Sequence, residues 1–335
     1  MDHVCAEPSL TVAIPTYRGA RHLAAALRSV LAQEGVTFDL IVSDDRSDDE
    51  TVAVVEGEAG DRARVVVNSE RLGLAGNWNQ CVALSRTAFV AIFHQDDVMR
   101  PGHLVAHLAT FRASERIGLV ASAADVIDDL DAPVPESTVG RGGLGSADRT
   151  FAPGEALPLM AGGNPLRCSA VTLSKAAHAD VGGFDASYRY VVDWNAWLKI
   201  ARRWGVAWLA HPSVAIRWHI ASETHRFKGG TADLDETARL LDELFERSGA
   251  AWPNALALRR QADQRLARAF LARSHEALKG GDVTLARSCL VRACRLWPGI
   301  VSTIVADPRL AAQMASLAVL PQWAGRLWSR AAAIE

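Results

Sequence analysis

Through its first half the chain alternates short apolar runs with stretches whose apolar residues recur every three or four positions. Leu10–Pro15, Leu40–Ser43, Arg64–Asn68, Phe89–Phe93 and Gly118–Ala123 are compact and rich in β-branched residues, a pattern of buried strands. Between them, Arg21–Gln33, Asp49–Ala59, Asn79–Ser85 and Pro101–Arg112 read as helices, the first with Leu23, Leu27, Val30 and Leu31 on one face. Ser47 followed by Glu50 has the spacing of a capping box for the second helix, and Pro101 suits the opening turn of the fourth. Regular alternation of strand and helix predicts an α/β fold with a doubly wound, mostly parallel sheet. Ligands of such sheets bind at the carboxyl ends of the strands, where the strand order reverses.

From Val126 to Ala152 the pattern breaks into loop, with Pro133, Pro135 and a run of glycines. Cys168–Ser174 resumes as a strand, Trp194–Trp204 as a helix, and Val206–Ala210 and Val214–Trp218 as two closing strands. After about Lys228 the pattern is helical, interrupted by Pro253, Pro298, Pro308 and Pro321. Two domains are therefore expected, 1–228 and 229–335, a count that also suits a chain of 335 residues. Leu266–Pro298 reads as two alanine-rich helices joined at Lys279-Gly280-Gly281-Asp282, similar to one tetratricopeptide-like hairpin. A solenoid needs about three such units, so a helical appendage is the expectation.

Composition narrows the classes. A formal net charge of −2 supplies no overall attraction to nucleic acid. Five cysteines without CxxC spacing argue for a reducing compartment and against a zinc site. Met1–Ser9 has no signal-peptide character, and no apolar run approaches the ~18 residues of a membrane span. The expectation is a cytoplasmic protein, at most peripheral at the inner face of a membrane. A peripheral contact would fall on Ala315–Ala333, where Leu317, Leu320, Trp323, Leu327 and Trp328 recur at helical intervals beside Arg326 and Arg330. Packing of the same residues into the helical region is the competing expectation.

Four polar clusters follow expected strands: Pro15-Thr16-Tyr17, Asp44-Asp45-Arg46-Ser47, the stretch from Asn68 to Asn79 with Gly73, Gly76 and Asn77, and His94-Gln95-Asp96-Asp97. A doubly wound sheet gathers all four at one edge. Each acidic pair alone could simply lead a helix, where carboxylates are favoured. Together they suit Mg²⁺ or Mn²⁺, which take one or two carboxylates plus phosphate oxygens. Glycines permit close backbone approach to a ligand, and Asn77 and Asn79 supply donors and acceptors.

The motifs VAIPTYRGARHLAAALRSVLAQ, VSDDRSDDET, NxxRLGLAGNWN and IFHQDDVMRP, then DVGGFDASYRYVVDWNAWLKIARR and RWHIASET, resemble the family 2 glycosyltransferases of GT-A fold. The resemblance runs in the family's order from about Leu10 to Thr224. It implies an inverting transfer of a sugar from a nucleotide-diphosphate sugar, with UDP favoured, to an acceptor hydroxyl on a glycan or lipid-linked carrier. The family's usual setting is cell-surface or extracellular polysaccharide assembly. By resemblance, Thr16, Tyr17 and Asp45 hold the base and ribose, with Pro15 and Asn77 beside them, and Asp96 faces ribose or phosphate. Asp97 binds the Mn²⁺ or Mg²⁺ ion, and His219 is a further ligand. Asp193 is the catalytic base, and Gly183 lies in a loop beside the donor sugar. His94 stands where many members have aspartate, and Val192 where the base motif has an acid. Asp193 is also a favoured N-cap of the helix it heads. Trp194 suits an acceptor platform or the core, Trp197 the core, and Arg217 a diphosphate or a surface ion pair.

Two motifs are set aside. Gly140–Gly145 has GxGxxG spacing but follows a proline-rich loop rather than a strand, so a mobile loop over the site is expected. Asp125, Asp128, Asp129 and Asp131 lack the pattern of a calcium loop and read as a turn. A sugar-phosphate nucleotidyltransferase would need a glycine-rich basic loop after the first strand, and Pro15-Thr16-Tyr17-Arg18-Gly19 is not one. A degenerate, non-catalytic scaffold is the other alternative; retention of Asp45, Asp96, Asp97 and Asp193 weighs against it.

Overall fold

The computed structural model describes residues 9–135, 142–219, 222, 227, 229–319, 324 and 328. They fall into two compact units, Met1–Met160 with Asn164–Ile220, and Ala161–Gly163 with Ala221–Glu335.

The first unit is built on strands β1 (Leu10–Thr16), β2 (Phe38–Asp44), β3 (Ala63–Val67), β4 (Phe89–Ile92), β5 (Val98–Met99), β6 (Ile117–Ile127), β7 (Pro133–Val134), β8 (Arg149–Phe151), β9 (Val171–Ser174) and β10 (Gly205–Arg217). Its helices are α1 (Ala20–Leu31), α2 (Thr51–Ala59), α3 (Gly73–Leu84), α4 (His103–Ala113), α5 (Leu157–Met160), α6 (Lys175–Asp180) and α7 (Val192–Arg203). The sheet order is β3-β2-β1-β4-β9-β6-β10-β5, with β7 on β6 and β8 on β10. Strands β3, β2, β1 and β4 run parallel; β9 is antiparallel to β4 and β6. The expected α/β class, a mostly parallel GT-A sheet flanked by helices with a helical C-terminal region, is the fold observed. Strand β1 is buried on both faces, as a central parallel strand must be. Its Leu10, Val12 and Ile14 pack with Leu23, Leu27 and Val30 of α1 and Leu104 of α4. Each such side chain contributes about 1.5–3 kcal/mol by leaving water.

Several boundaries differ from those expected. The two closing strands are one, β10, whose pairing with β6 shifts register around Pro212. Proline lacks the ladder N–H, so a bulge there bends the strand without ending it. The expected capping box is absent because the Ser47 hydroxyl donates to Asp44; Asp49 accepts the Thr51 N–H instead, and α2 starts at Thr51. Pro101 precedes the left-handed Gly102, and α4 starts after both. The segment expected as loop from Val126 carries the end of β6, then β7 and β8. Gly140 and Arg141 lie outside the described residues. Gly143 lies in a turn that Gly145 follows, and there the Trp208 indole donates to the Gly145 carbonyl at 2.8 Å. At Gly143 (φ +64) a Cβ would meet the Trp208 ring at 2.4 Å.

In the second unit, α8 (Ala232–Ser248), α9 (Ala255–Lys279), α10 (Val283–Leu296), α11 (Ile300–Ala306) and α12 (Pro308–Val319) follow in order. Helices α9 and α10 form a hairpin around Gly280-Gly281, with Asp282 accepting the Leu285 N–H as its cap. Ala286, Cys289 and Ala293 form the buried stripe of α10, small side chains that let the helices approach. Arg273 and Asp233 make a buried ion pair at 2.7 Å. In the tail, Leu317 is buried and the Trp328 indole donates to the Ser316 hydroxyl. Leu320, Trp323, Arg326, Leu327 and Arg330 lie outside the described residues. No helix among the described residues is long and apolar enough to cross a membrane.

Candidate active site

Because β1, β2 and β4 are parallel, their carboxyl ends deliver three of the polar clusters to one edge. At the end of β1, Thr16 donates to Asp44 Oδ1 at 2.8 Å, and its carbonyl accepts the Asp45 N–H. Pro15 sits one residue back in the strand, half-buried. Asp44 also accepts both the N–H and hydroxyl of Ser47, which closes the turn after β2.

Asp45 is 2% exposed and accepts four hydrogen bonds. Asn68 and the Leu72 N–H donate to Oδ1, at 3.1 and 2.7 Å; Arg71 and the Gly73 N–H donate to Oδ2, at 3.3 and 2.9 Å. The carboxylate thus occupies the N-terminus of α3, where orphan N–H groups and the helix dipole favour an anion. The glycine-rich stretch expected as a loop is therefore the first turn of α3, six residues ahead of the expected start at Asn79. The Asn77 amide faces inward rather than toward a ligand, donating to the Ser43 carbonyl and accepting from Ser43 and Asn68. It positions Asp45 through Asn68.

Arg71 was not singled out by sequence, although it lies inside a quoted motif. Its guanidinium carbon stands 3.4 Å from the centre of the Tyr17 ring while its Nε reaches Asp45. The Tyr17 ring, the Asp45 carboxylate and the half-exposed Arg71 guanidinium, stacked on that ring, thus lie together at this edge.

The fourth cluster is joined to the first by Gln95, which accepts the Tyr17 N–H and donates to the Tyr17 carbonyl. Asp97 is 2% exposed and accepts the Ser169 hydroxyl at 2.5 Å and the Arg217 N–H at 2.8 Å. Burial, then the charge of Asp96, push its carboxyl up to about 8. Burial opposes charge on Asp96 too, but the hydrogen bond from His219 and the nearby imidazoles outweigh it and hold that carboxyl below its usual range. Asp96 meets His219 Nε2 at 2.9 Å. His94, Asp96 and Asp97 each offer a ligand atom within 4.8 Å of the others. Two adjacent carboxylates, one driven toward neutrality by burial and then by the other's charge, fit a hard divalent cation.

Of the two expected roles, Arg217 shows an ion pair, with the exposed Asp131. It is buried and clamps this loop to the turn after β6, donating to the carbonyls of Asp96 and Asp128 and to Asp131 Oδ1. Asp128 in turn accepts the N–H groups of Leu130 and Ala132, so Asp128, Asp129 and Asp131 form the expected turn, while Asp125 lies instead in β6 and pairs with Ala215.

The fourth wall comes from the second half of this unit. Asn79 on α3 accepts the Phe184 N–H and donates to its carbonyl. Gly183 must be glycine here: its φ is +73° and a Cβ would lie 2.7 Å from Asn79 Oδ1. Asp193 is not the N-cap, which is Val191, but lies in the first turn of α7. It is partly exposed and accepts from Asn164 at 2.7 Å; it hydrogen-bonds to no residue of the carboxylate cluster. Trp194 is core, its indole donating to the Met160 carbonyl, and Trp197 is fully buried.

This sheet, with its carboxylate cluster at the strand ends, has the GT-A fold found in glycosyltransferases. Residues 11–170, just under half of the chain, match Glycosyl transferase family 2. Over 72% of its length the chain is 28% identical to an uncharacterized protein of Mycobacterium tuberculosis, covering 76% of it. It is 33% identical to the succinoglycan biosynthesis protein ExoO of Rhizobium meliloti, over 37% of this chain and 34% of that one. Among solved structures it resembles S. aureus TarS 1–349 in complex with UDP-GlcNAc (TM-score 0.63, 15% identity, 97% of this chain and 89% of that one). It also resembles the mannosyltransferase PcManGT of Pyrobaculum calidifontis in complex with GDP-Man and Mn²⁺ (TM-score 0.56, 18% identity, 97% and 84%).

Proposed function

We propose that this chain transfers a sugar from a nucleotide-diphosphate sugar to an acceptor hydroxyl with inversion at the anomeric carbon, in polysaccharide or cell-surface glycan assembly. The observation that carries the reading is the continuous edge from the Tyr17–Arg71–Asp45 cluster to the Asp96–Asp97 pair, joined by Gln95. A flat base fits against the Tyr17 ring, with Asp45 and Arg71 at its rim and Thr16 and Pro15 behind. UDP is the favoured nucleotide. Asp45 already accepts four bonds, so a base that reaches it displaces Arg71, the longest of them.

Asp97, with Asp96 and His94, would hold Mn²⁺ or Mg²⁺, and His219 completes that wall through Asp96. When bound, the cation stabilises the charge of the departing diphosphate. Asp193 takes the acceptor proton as the hydroxyl attacks the anomeric carbon, its carboxylate aimed by Asn164. Gly183 keeps the Phe184 loop against α3 beside the sugar. The acceptor is a glycan or lipid-linked hydroxyl, reached through peripheral membrane contact of the C-terminal region.

The test is a panel of nucleotide-sugars, assayed for Mn²⁺-dependent binding and slow hydrolysis. Asp97→Asn is expected to lose turnover and metal-dependent nucleotide affinity. Asp193→Asn is expected to lose at least about 100-fold in turnover with nucleotide binding nearly unchanged. Full Asp97→Asn activity in chelator, or no binding of any nucleotide-sugar by the wild-type chain, refutes the reading.

A further inference from the structure

Apart from the carboxylate edge, the first unit holds a cavity of about 510 Å³. It lies where the pairing of β10 with β6 shifts register around Pro212, and small side chains there leave the room: Ser122, Ala123 and Ala124 on β6, and Ala210 on β10. Trp208 and Gly143 close one wall, the glycine packed where a Cβ would strike the indole ring. Arg100, Pro133 and Gly142 on its lining are exposed, so the cavity meets solvent. Its size falls within the roughly 300–1,000 Å³ of small-molecule sites.

The charged lining is Arg100, Arg167 and Asp125, two cations to one carboxylate. Arg100 and Asp125 approach at 3.4 Å, but both side chains are about half exposed, and such pairs are weak. Arg167 is only 8% exposed. A guanidinium so far from water acts through a low effective dielectric, and its planar fork matches a carboxylate or a phosphate. The segment that carries Arg167 also serves the proposed chemistry. Asn164, which precedes Pro165 of the cavity lining, donates to Asp193, and Ser169, two residues after Arg167, donates to Asp97. Between them, the Leu166 N–H donates to Asn164 Oδ1 and the Ala170 N–H to the Arg167 carbonyl, which holds the segment in one shape. Resting on the transfer reading above, we propose that this cavity seats an oxyanion-bearing sugar of the acceptor, with Arg167 setting the preference for charge and Arg100 assisting at the mouth. The oxyanion is a sugar carboxylate or a sugar phosphate, the two groups that such a fork recognises.

The experiment titrates the full chain with methyl β-glucuronide, glucose 1-phosphate and the neutral methyl β-glucoside, read by ligand-observed NMR. Mn²⁺ and UDP are present to fill the donor's phosphate site, and UDP binding is followed by calorimetry on every variant. The wild-type chain is expected to bind one charged probe at least about 10-fold more tightly than the neutral glucoside, and the tighter of the two charged probes identifies the oxyanion. Arg167→Gln is expected to abolish that preference and Arg100→Gln, at an exposed position, to reduce it, both with UDP affinity unchanged. UDP binding with no preference for either charged probe, or a preference that survives both substitutions, overturns this inference and leaves the transfer reading standing. A wild-type chain that binds neither UDP nor any other nucleotide defeats the transfer reading and this inference with it.

Discussion

Acid should weaken this fold through two buried histidines of α4. His103 and His107 lie on the inner face of α4, fully buried, with ring centres 4.0 Å apart. Each shares a hydrogen bond through Nδ1, with Ser213 at 2.7 Å and Thr172 at 2.9 Å. Neither Nε2 has a partner among the described residues. Burial pushes His103 down to about 3; burial, with His103 adjacent, holds His107 well below its ordinary value. Both therefore stay neutral in the fold while the unfolded chain takes up protons below about pH 6.5. The unfolded state then binds more protons, so stability falls as pH falls. Between about pH 7.0 and about pH 5.5 each histidine costs about 1.3 kcal/mol, and the two together about 2.5 kcal/mol. That is a sizeable part of a typical total of about 5–15 kcal/mol. Urea unfolding at both pH values, on wild type and a His103→Gln/His107→Gln variant, isolates the effect from other titrating groups. The variant is expected to lose about 2.5 kcal/mol less on acidification, whatever its stability at neutral pH. Equal losses would refute the argument, since the imidazoles would then be taking protons inside the fold.

Asp45→Ala is expected to destabilise the first unit by about 3 kcal/mol, because the Leu72 and Gly73 N–H groups lose a charged acceptor. Asp45→Asn, which keeps an oxygen there, should cost less; equal unfolding midpoints for wild type and Asp45→Ala would rule out the capping role. Arg217→Met is expected to cost about 2 kcal/mol through the carbonyls of Asp96 and Asp128. It should also weaken metal-dependent nucleotide binding, read by calorimetry, because it frees the loop that carries Asp97.

Much of the first unit was legible because strand and helix periods differ and β1, β2 and β4 are short, apolar and bounded by polar turns. The misreadings share a cause: side chains spent on partners distant in sequence. Ser47 looked like a cap but serves Asp44, and Asn77 looked like a ligand group but serves Ser43 and Asn68. The start of α3 was hidden because its cap, Asp45, lies 28 residues before Gly73. Arg71 went unnoticed for the same reason, since its neighbours Tyr17 and Asp45 come from two other strands. Pro212 looked like a strand end because the pattern breaks there, although pairing with β6 resumes beyond it.

That bent strand bears on where the domain can be cut. The segment matched to the family spans residues 11–170, yet Asp97 takes a hydrogen bond from the backbone of Arg217, and β5 is paired to β10 at Val214 and Ala215. A fragment trimmed to the matched segment would lose the sheet neighbour of β5 and the clamp on the Asp96-Asp97 loop. The smallest piece able to keep this carboxylate pair in place must therefore run past His219, so the matched segment and the working unit have different ends.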